Sequence, residues 1–89
     1  MREADLQAKI KKKLEAAGWL VVKLIQTSAN GIPDLMALRN GTAIFIEVKA
    51  LGKKARPLQE FRINQLTKQG FNAKVIDKIE DVYEFTNAS

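Results

Sequence analysis

The sequence contains no cysteine and no histidine. Those two absences exclude zinc fingers, thiol nucleophiles, Ser-His-Asp triads, histidine-based nucleases and any disulfide framework. No apolar run reaches the roughly 18 residues of a membrane span and no signal-peptide pattern occurs, so a soluble, cytoplasmic protein without a membrane partner is expected. The phosphate-binding Gly-x-x-x-x-Gly-Lys-Ser/Thr run and the dinucleotide fingerprint are missing, and so are repeats, low-complexity stretches and linkers. Whatever chemistry the chain performs must rest on carboxylates, lysine and a metal ion.

What remains is one domain's worth of chain. Its 89 residues predict a single domain from 1 to 89, near the lower end for a stable core, where self-association helps. Hydrophobic content of 46% and charged content of 28% are those of a globular protein. Lys and Arg number 15 against 10 Asp and Glu, and the resulting charge of +5 suits a polyanionic partner.

The most informative stretch is Gly31-Ile32-Pro33-Asp34 followed by Ile46-Glu47-Val48-Lys49. Between them Asn40-Gly41 separates the apolar runs Leu35-Met36-Ala37-Leu38 and Ala43-Ile44-Phe45-Ile46. Asn-Gly in that setting predicts a two-residue type I′ hairpin turn. If Asn40 and Gly41 form the loop, Arg39 faces Thr42 and Asp34 lies directly opposite Glu47. Opposed residues have Cβ atoms about 4.5–5.5 Å apart, and Lys49, two residues after Glu47, points to the same face. Two carboxylates near enough to share a cation, with an ammonium beside them, make a metal-hydrolysis site. The competing reading is an ordinary ion-pair cluster. Against it, both faces of these strands are apolar, which predicts strands covered on both sides. Like-charged carboxylates in such a place repel, and burial adds to the cost. A bound cation such as Mg²⁺ or Mn²⁺ removes the conflict.

Periodicity predicts a helix over 2–17 on Leu6, Ile10 and Leu14, ended by Gly18. A strand over 19–25, a polar turn, strands over 34–38 and 42–50 and a basic loop over 51–56 follow. Pro57 opens a second helix reaching 69. A strand over 73–76, a short helix over 79–85 and a frayed tail over 86–89 complete the order α-β-β-β-α-β-(α). Glu3 falls in the centre of the first helix's apolar stripe, where it either serves the helix dipole or reaches the metal site. Gln59 shares a face with Ile63 and Leu66, so it sits at the rim or contacts a ligand.

Taken together, Glu3, Gly31-x-Pro33-Asp34, the Asn-Gly hairpin, Glu47-Val48-Lys49 and Gln59 resemble the PD-(D/E)XK nuclease superfamily. Within it, the stand-alone virus-type replication-repair nuclease (VRR-NUC) domains are most similar. The resemblance implies an α/β restriction-endonuclease-like core with a central mixed sheet flanked by helices. It implies that Asp34, Glu47 and the Val48 backbone carbonyl bind Mg²⁺ (or Mn²⁺), and that Lys49 orients or activates the attacking water. Glu3 would support the metal shell and Gln59 would position the site or the strand. Members of this kind are similar to Holliday-junction resolvases, which implies a homodimer or higher homo-oligomer cutting branched DNA. Lys53, Lys54 and Arg56 in the loop, with Lys9, Lys12 and Lys13 on the first helix, are the natural phosphate contacts, competing with a plain solvated surface. Binding through them should weaken with salt. A non-specific or restriction-like nuclease, or a DNA-binding protein without catalysis, are the alternative readings.

Overall fold

Asn40 and Gly41 both take positive φ, 49° and 77°, the pair that a type I′ turn requires. The turn fixes the register that organises everything else. In the computed structural model, which describes residues 1–87, the elements run α1 (Glu3–Ala16), β1 (Leu20–Lys23), β2 (Leu35–Arg39), β3 (Thr42–Val48), α2 (Pro57–Lys68) and β4 (Asn72–Ile76). A 3₁₀ turn (Ile79–Val82) and a single helical turn, α3 (Tyr83–Thr86), close the chain. The sheet order is β1-β2-β3-β4. β1, β2 and β3 are antiparallel neighbours, with Arg39 opposite Thr42 and Leu35 opposite Ile46. β4 joins β3 in parallel after the α2 crossover, as a parallel connection of this length demands.

One face of the sheet is dry. Leu6, Ile10 and Leu14 of α1 meet Val21, Leu35, Ala37, Ile44, Ile46, Val48 and Ile76, and Val82 and Phe85 seal the end. The strand residues alternate, so one face collects all of them. Each fully buried Leu or Ile contributes roughly 1.5–3 kcal/mol. Trp19, expected to begin the first strand, instead turns into this core. Its indole N–H donates to the Phe85 carbonyl at 2.8 Å, and the Arg39 guanidinium stacks 4.4 Å from its ring centre.

The second face corrects the expectation of strands covered on both sides. α2 packs along β4 and buries no residue fully. Phe71 meets Phe45 edge-on at 5.7 Å, yet Leu20 remains 63% exposed and Phe61 55% exposed. A single helix placed at the β4 edge is too narrow to cover β1 and β2 as well. Thr86, expected to open a frayed tail, is helical instead; Ala88 and Ser89, the end of that expected tail, lie outside the described residues.

Candidate active site

The β1–β2 pairing runs one step past its strands, where Leu24 N–H donates to the Asp34 carbonyl at 2.8 Å. That step holds Asp34 on the second face of the sheet, next to Glu47 of β3 across the hairpin. Pro33 before it is buried. Gly31 has φ +80°, and a Cβ there would lie 2.7 Å from Leu58 Cγ and 2.9 Å from the Leu58 carbonyl oxygen. The first turn of α2 therefore rests directly on the Gly31 backbone and braces the approach to Asp34.

Asp34 Oδ2 accepts the Val48 N–H at 2.9 Å. Glu47 is only 1% exposed. One of its oxygens, Oε2, lies 3.3 Å from Lys49 Nζ. The other, Oε1, is buried without a hydrogen-bond partner. Burial and the neighbouring Asp34 carboxylate push the Glu47 carboxyl up to about 7, with Lys49 only partly offsetting them. Asp34 is also raised, chiefly by burial, while its bond from Val48 works the other way. A buried carboxylate oxygen with no donor, on a side chain that neighbours a second carboxylate, is chemically incomplete. A hard divalent cation that takes oxygen ligands completes it, so these residues fit such an ion.

Three comparisons bear on this geometry. The VRR-NUC domain family matches residues 2–77. The chain belongs to the VRR-NUC family. A curated relative, "Putative nuclease p44" of Acyrthosiphon pisum secondary endosymbiont phage 1, is 32% identical over 78 residues, covering 86% of this chain and 84% of that protein. A solved VRR-NUC domain superposes with a TM-score of 0.83 at 33% identity, covering 92% of this chain and 90% of the other. The VRR-NUC fold here is thus the PD-(D/E)XK-like α/β core with a mixed four-stranded sheet, and the chain is a nuclease domain.

In this VRR-NUC domain Asp34, Glu47 and Lys49 stand together at the carboxylates. Glu3 stays exposed at the start of α1, and among the described residues no three acidic groups converge into a cation-binding set. Its charge nonetheless raises both carboxyls. Gln59 has a different partner. Its Oε1 accepts the Arg56 N–H at 2.8 Å, capping α2 in the way a residue at the third helical position does. Lys53, Lys54 and Arg56 are exposed between β3 and α2, and Lys9, Lys12 and Lys13 are exposed on α1. The bracing contact between Gly31 and Leu58 was not foreseen; a glycine just ahead of Ile32-Pro33 was its only trace in the sequence.

The raised carboxyls carry a stability consequence. Glu47 binds its proton more tightly folded than at its ordinary 4.5. The stabilisation is therefore complete below that value and is lost as pH rises through about 7. The difference amounts to about 3 kcal/mol at most. Melting of metal-free protein should fall by on the order of 10 °C between pH 5 and pH 8. Adding Mg²⁺ or Mn²⁺ at pH 8 should recover much of it. A melting temperature that rises with pH over this interval would contradict the strained carboxylate pair.

Proposed function

We propose that this chain is a divalent-cation-dependent, structure-selective DNA endonuclease that cuts branched DNA such as four-way junctions. The observation that carries the reading is the unpartnered Oε1 of Glu47, buried beside Asp34 with Lys49 at its other oxygen. Asp34 and Glu47 would hold Mg²⁺ or Mn²⁺, with the Val48 carbonyl as a further oxygen. When bound, the ion polarises the phosphoryl oxygen and acidifies a water. Lys49, fixed by Glu47, donates a hydrogen bond to the attacking water or to a phosphate oxygen as negative charge builds there. Asp34, anchored by the Val48 N–H, would offer its other oxygen to the ion. Water attacks phosphorus, and the bond to the bridging oxygen breaks as that oxygen takes up a proton.

Branched substrates fit the absence of any base-reading element in the sequence, since phosphate contacts position DNA without specifying bases. Paired cuts across a junction need two active sites, hence a homodimer or higher homo-oligomer. Large apolar side chains left exposed, among them Leu20 and Phe61, support such an assembly. The cytoplasm of a bacterial or phage-infected cell is the setting this reading assigns, and among the described residues no helix is long and apolar enough to cross a membrane.

The test is cleavage of a four-way junction and a matched linear duplex with Mg²⁺, Mn²⁺ or EDTA, beside Glu47→Ala. Metal-dependent cutting of the junction, absent from the variant and from the EDTA reaction, is expected. Equal cutting of both substrates would leave a nuclease without junction selectivity. Binding without cutting would favour a non-catalytic DNA-binding role.

A further inference from the structure

The segment leaving the catalytic strand is tied to the domain at successive points. Lys49 N–H donates to the Ile76 carbonyl at 3.0 Å, extending the parallel β3–β4 ladder by one residue. Lys53 N–H donates to the Ala50 carbonyl at 2.9 Å and closes a four-residue turn. Gly52 in that turn has φ +80°, the left-handed value that the third residue of a type II turn needs. The Gly52 N–H then donates to Oδ2 of Asp77 at 3.1 Å. Asp77 directly follows β4, in line with Lys49 across the ladder. At the far end Gln59 holds the Arg56 N–H. Between the two ties lie the exposed cations Lys53 and Lys54.

We propose that Asp77 is a positioning residue for the nucleic-acid substrate: by holding the Gly52 turn it fixes Lys53 and Lys54 beside Lys49 as phosphate contacts. The proposal rests on the nuclease reading above. A closed turn keeps the Cα of Lys53 within about 7 Å of that of Ala50, which follows Lys49 directly. The cations are thereby presented next to the catalytic lysine. Without the tie to Asp77, the 50–53 turn keeps only its own Lys53–Ala50 bond and is no longer fastened to the end of β4, and DNA binding must bear the cost of ordering it. Charge alone makes the opposite demand. A carboxylate beside a basic loop repels phosphate, so its simple removal should tighten binding. The two accounts predict opposite signs.

Asp77→Ala and Asp77→Asn in the full chain separate them. Asparagine keeps an oxygen for the Gly52 N–H and drops the charge; alanine drops both. Labelled four-way junction is titrated with Ca²⁺ present, cleavage is followed with Mg²⁺, and free protein is treated with trypsin. Asp77→Ala should bind the junction about tenfold more weakly, with KM raised and kcat nearly unchanged. It should also be nicked after Lys53 and Lys54 about fivefold faster. Asp77→Asn should match the wild type in nicking and bind DNA as tightly or more so. Alanine binding as tightly as wild type, or nicking at an unchanged rate, overturns the proposal. Wild-type protein that neither binds nor cuts DNA overturns the nuclease reading and this role with it. In that case the trypsin comparison still reports whether Asp77 holds the turn.

Discussion

Glu47→Gln is expected to lower cleavage by about three orders of magnitude or more while raising the melting temperature of metal-free protein at pH 8. The two effects have one cause. Glu47 is held at 1% exposure with an unpartnered oxygen and a second carboxylate beside it. Its negative charge would be needed only to hold a cation; without one it is a buried charge opposed by Asp34. Glutamine keeps the shape, removes the charge and gives Asp34 an amide donor. About 1–3 kcal/mol of stability should be gained at pH 8, where wild-type Glu47 is ionised. At pH 5, where wild-type Glu47 is already protonated, the gain should nearly vanish. Thermal melts of both proteins in EDTA at the two pH values, together with junction cleavage in Mg²⁺, read out the whole prediction. A Gln variant that cuts normally would show that the cation is held elsewhere. A Gln variant that melts lower at pH 8 would show that Glu47 is not the strained group.

Gly31→Ala should be the most damaging change outside the carboxylates. The residue has φ +80°, and an added methyl would sit 2.7 Å from Leu58 Cγ and 2.9 Å from its carbonyl oxygen. The side chain of Leu58 can rotate away, but its backbone cannot. Either the loop before Asp34 shifts or the first turn of α2 lifts. Left-handed backbone strain plus the displaced helix should cost about 3 kcal/mol. In a domain of this size that is a fall in melting temperature of roughly 15 °C. Because the same loop delivers Asp34, activity at temperatures where the variant is still folded should fall too. Leu58→Ala in the Gly31→Ala background tests the contact: it relieves the Cγ clash but leaves the carbonyl, so only partial recovery is expected. Full recovery would assign the damage to the side chain alone, and an unchanged melting temperature in Gly31→Ala would remove the bracing contact from the account.

The centre of the site was legible because it is built from local rules. Asn40-Gly41 sets the turn, the turn sets the register, and the register places Asp34 against Glu47 and Lys49 within one hairpin. Residues whose partners lie far along the chain were not readable in this way. The indole of Trp19 finds the carbonyl of Phe85 across 66 positions, and no periodicity in the sequence announces that bond. The helix face of Gln59 points to the rim or a ligand, and does not by itself announce its bond to the backbone three residues earlier. Covering both faces of the sheet was inferred from apolar strands alone. Where a helix comes to rest across a sheet is a tertiary matter, and α2 settles at the β4 edge.

The order of pairing in the sheet also separates when the site forms from when it becomes strained. A hairpin with a two-residue turn closes in about 1–10 μs, bringing Asp34 and Glu47 together while both are still wet. Parallel pairing of β4 must wait for the α2 crossover and closure of a much longer loop. That later docking dries Glu47, so the repulsion between the carboxylates should be felt mainly once β4 has paired. Relieving it should slow unfolding far more than it speeds folding. The paired carboxylates should thus be a kinetic weak point of the domain, and a cation bound between them would act as a latch that lengthens the native lifetime.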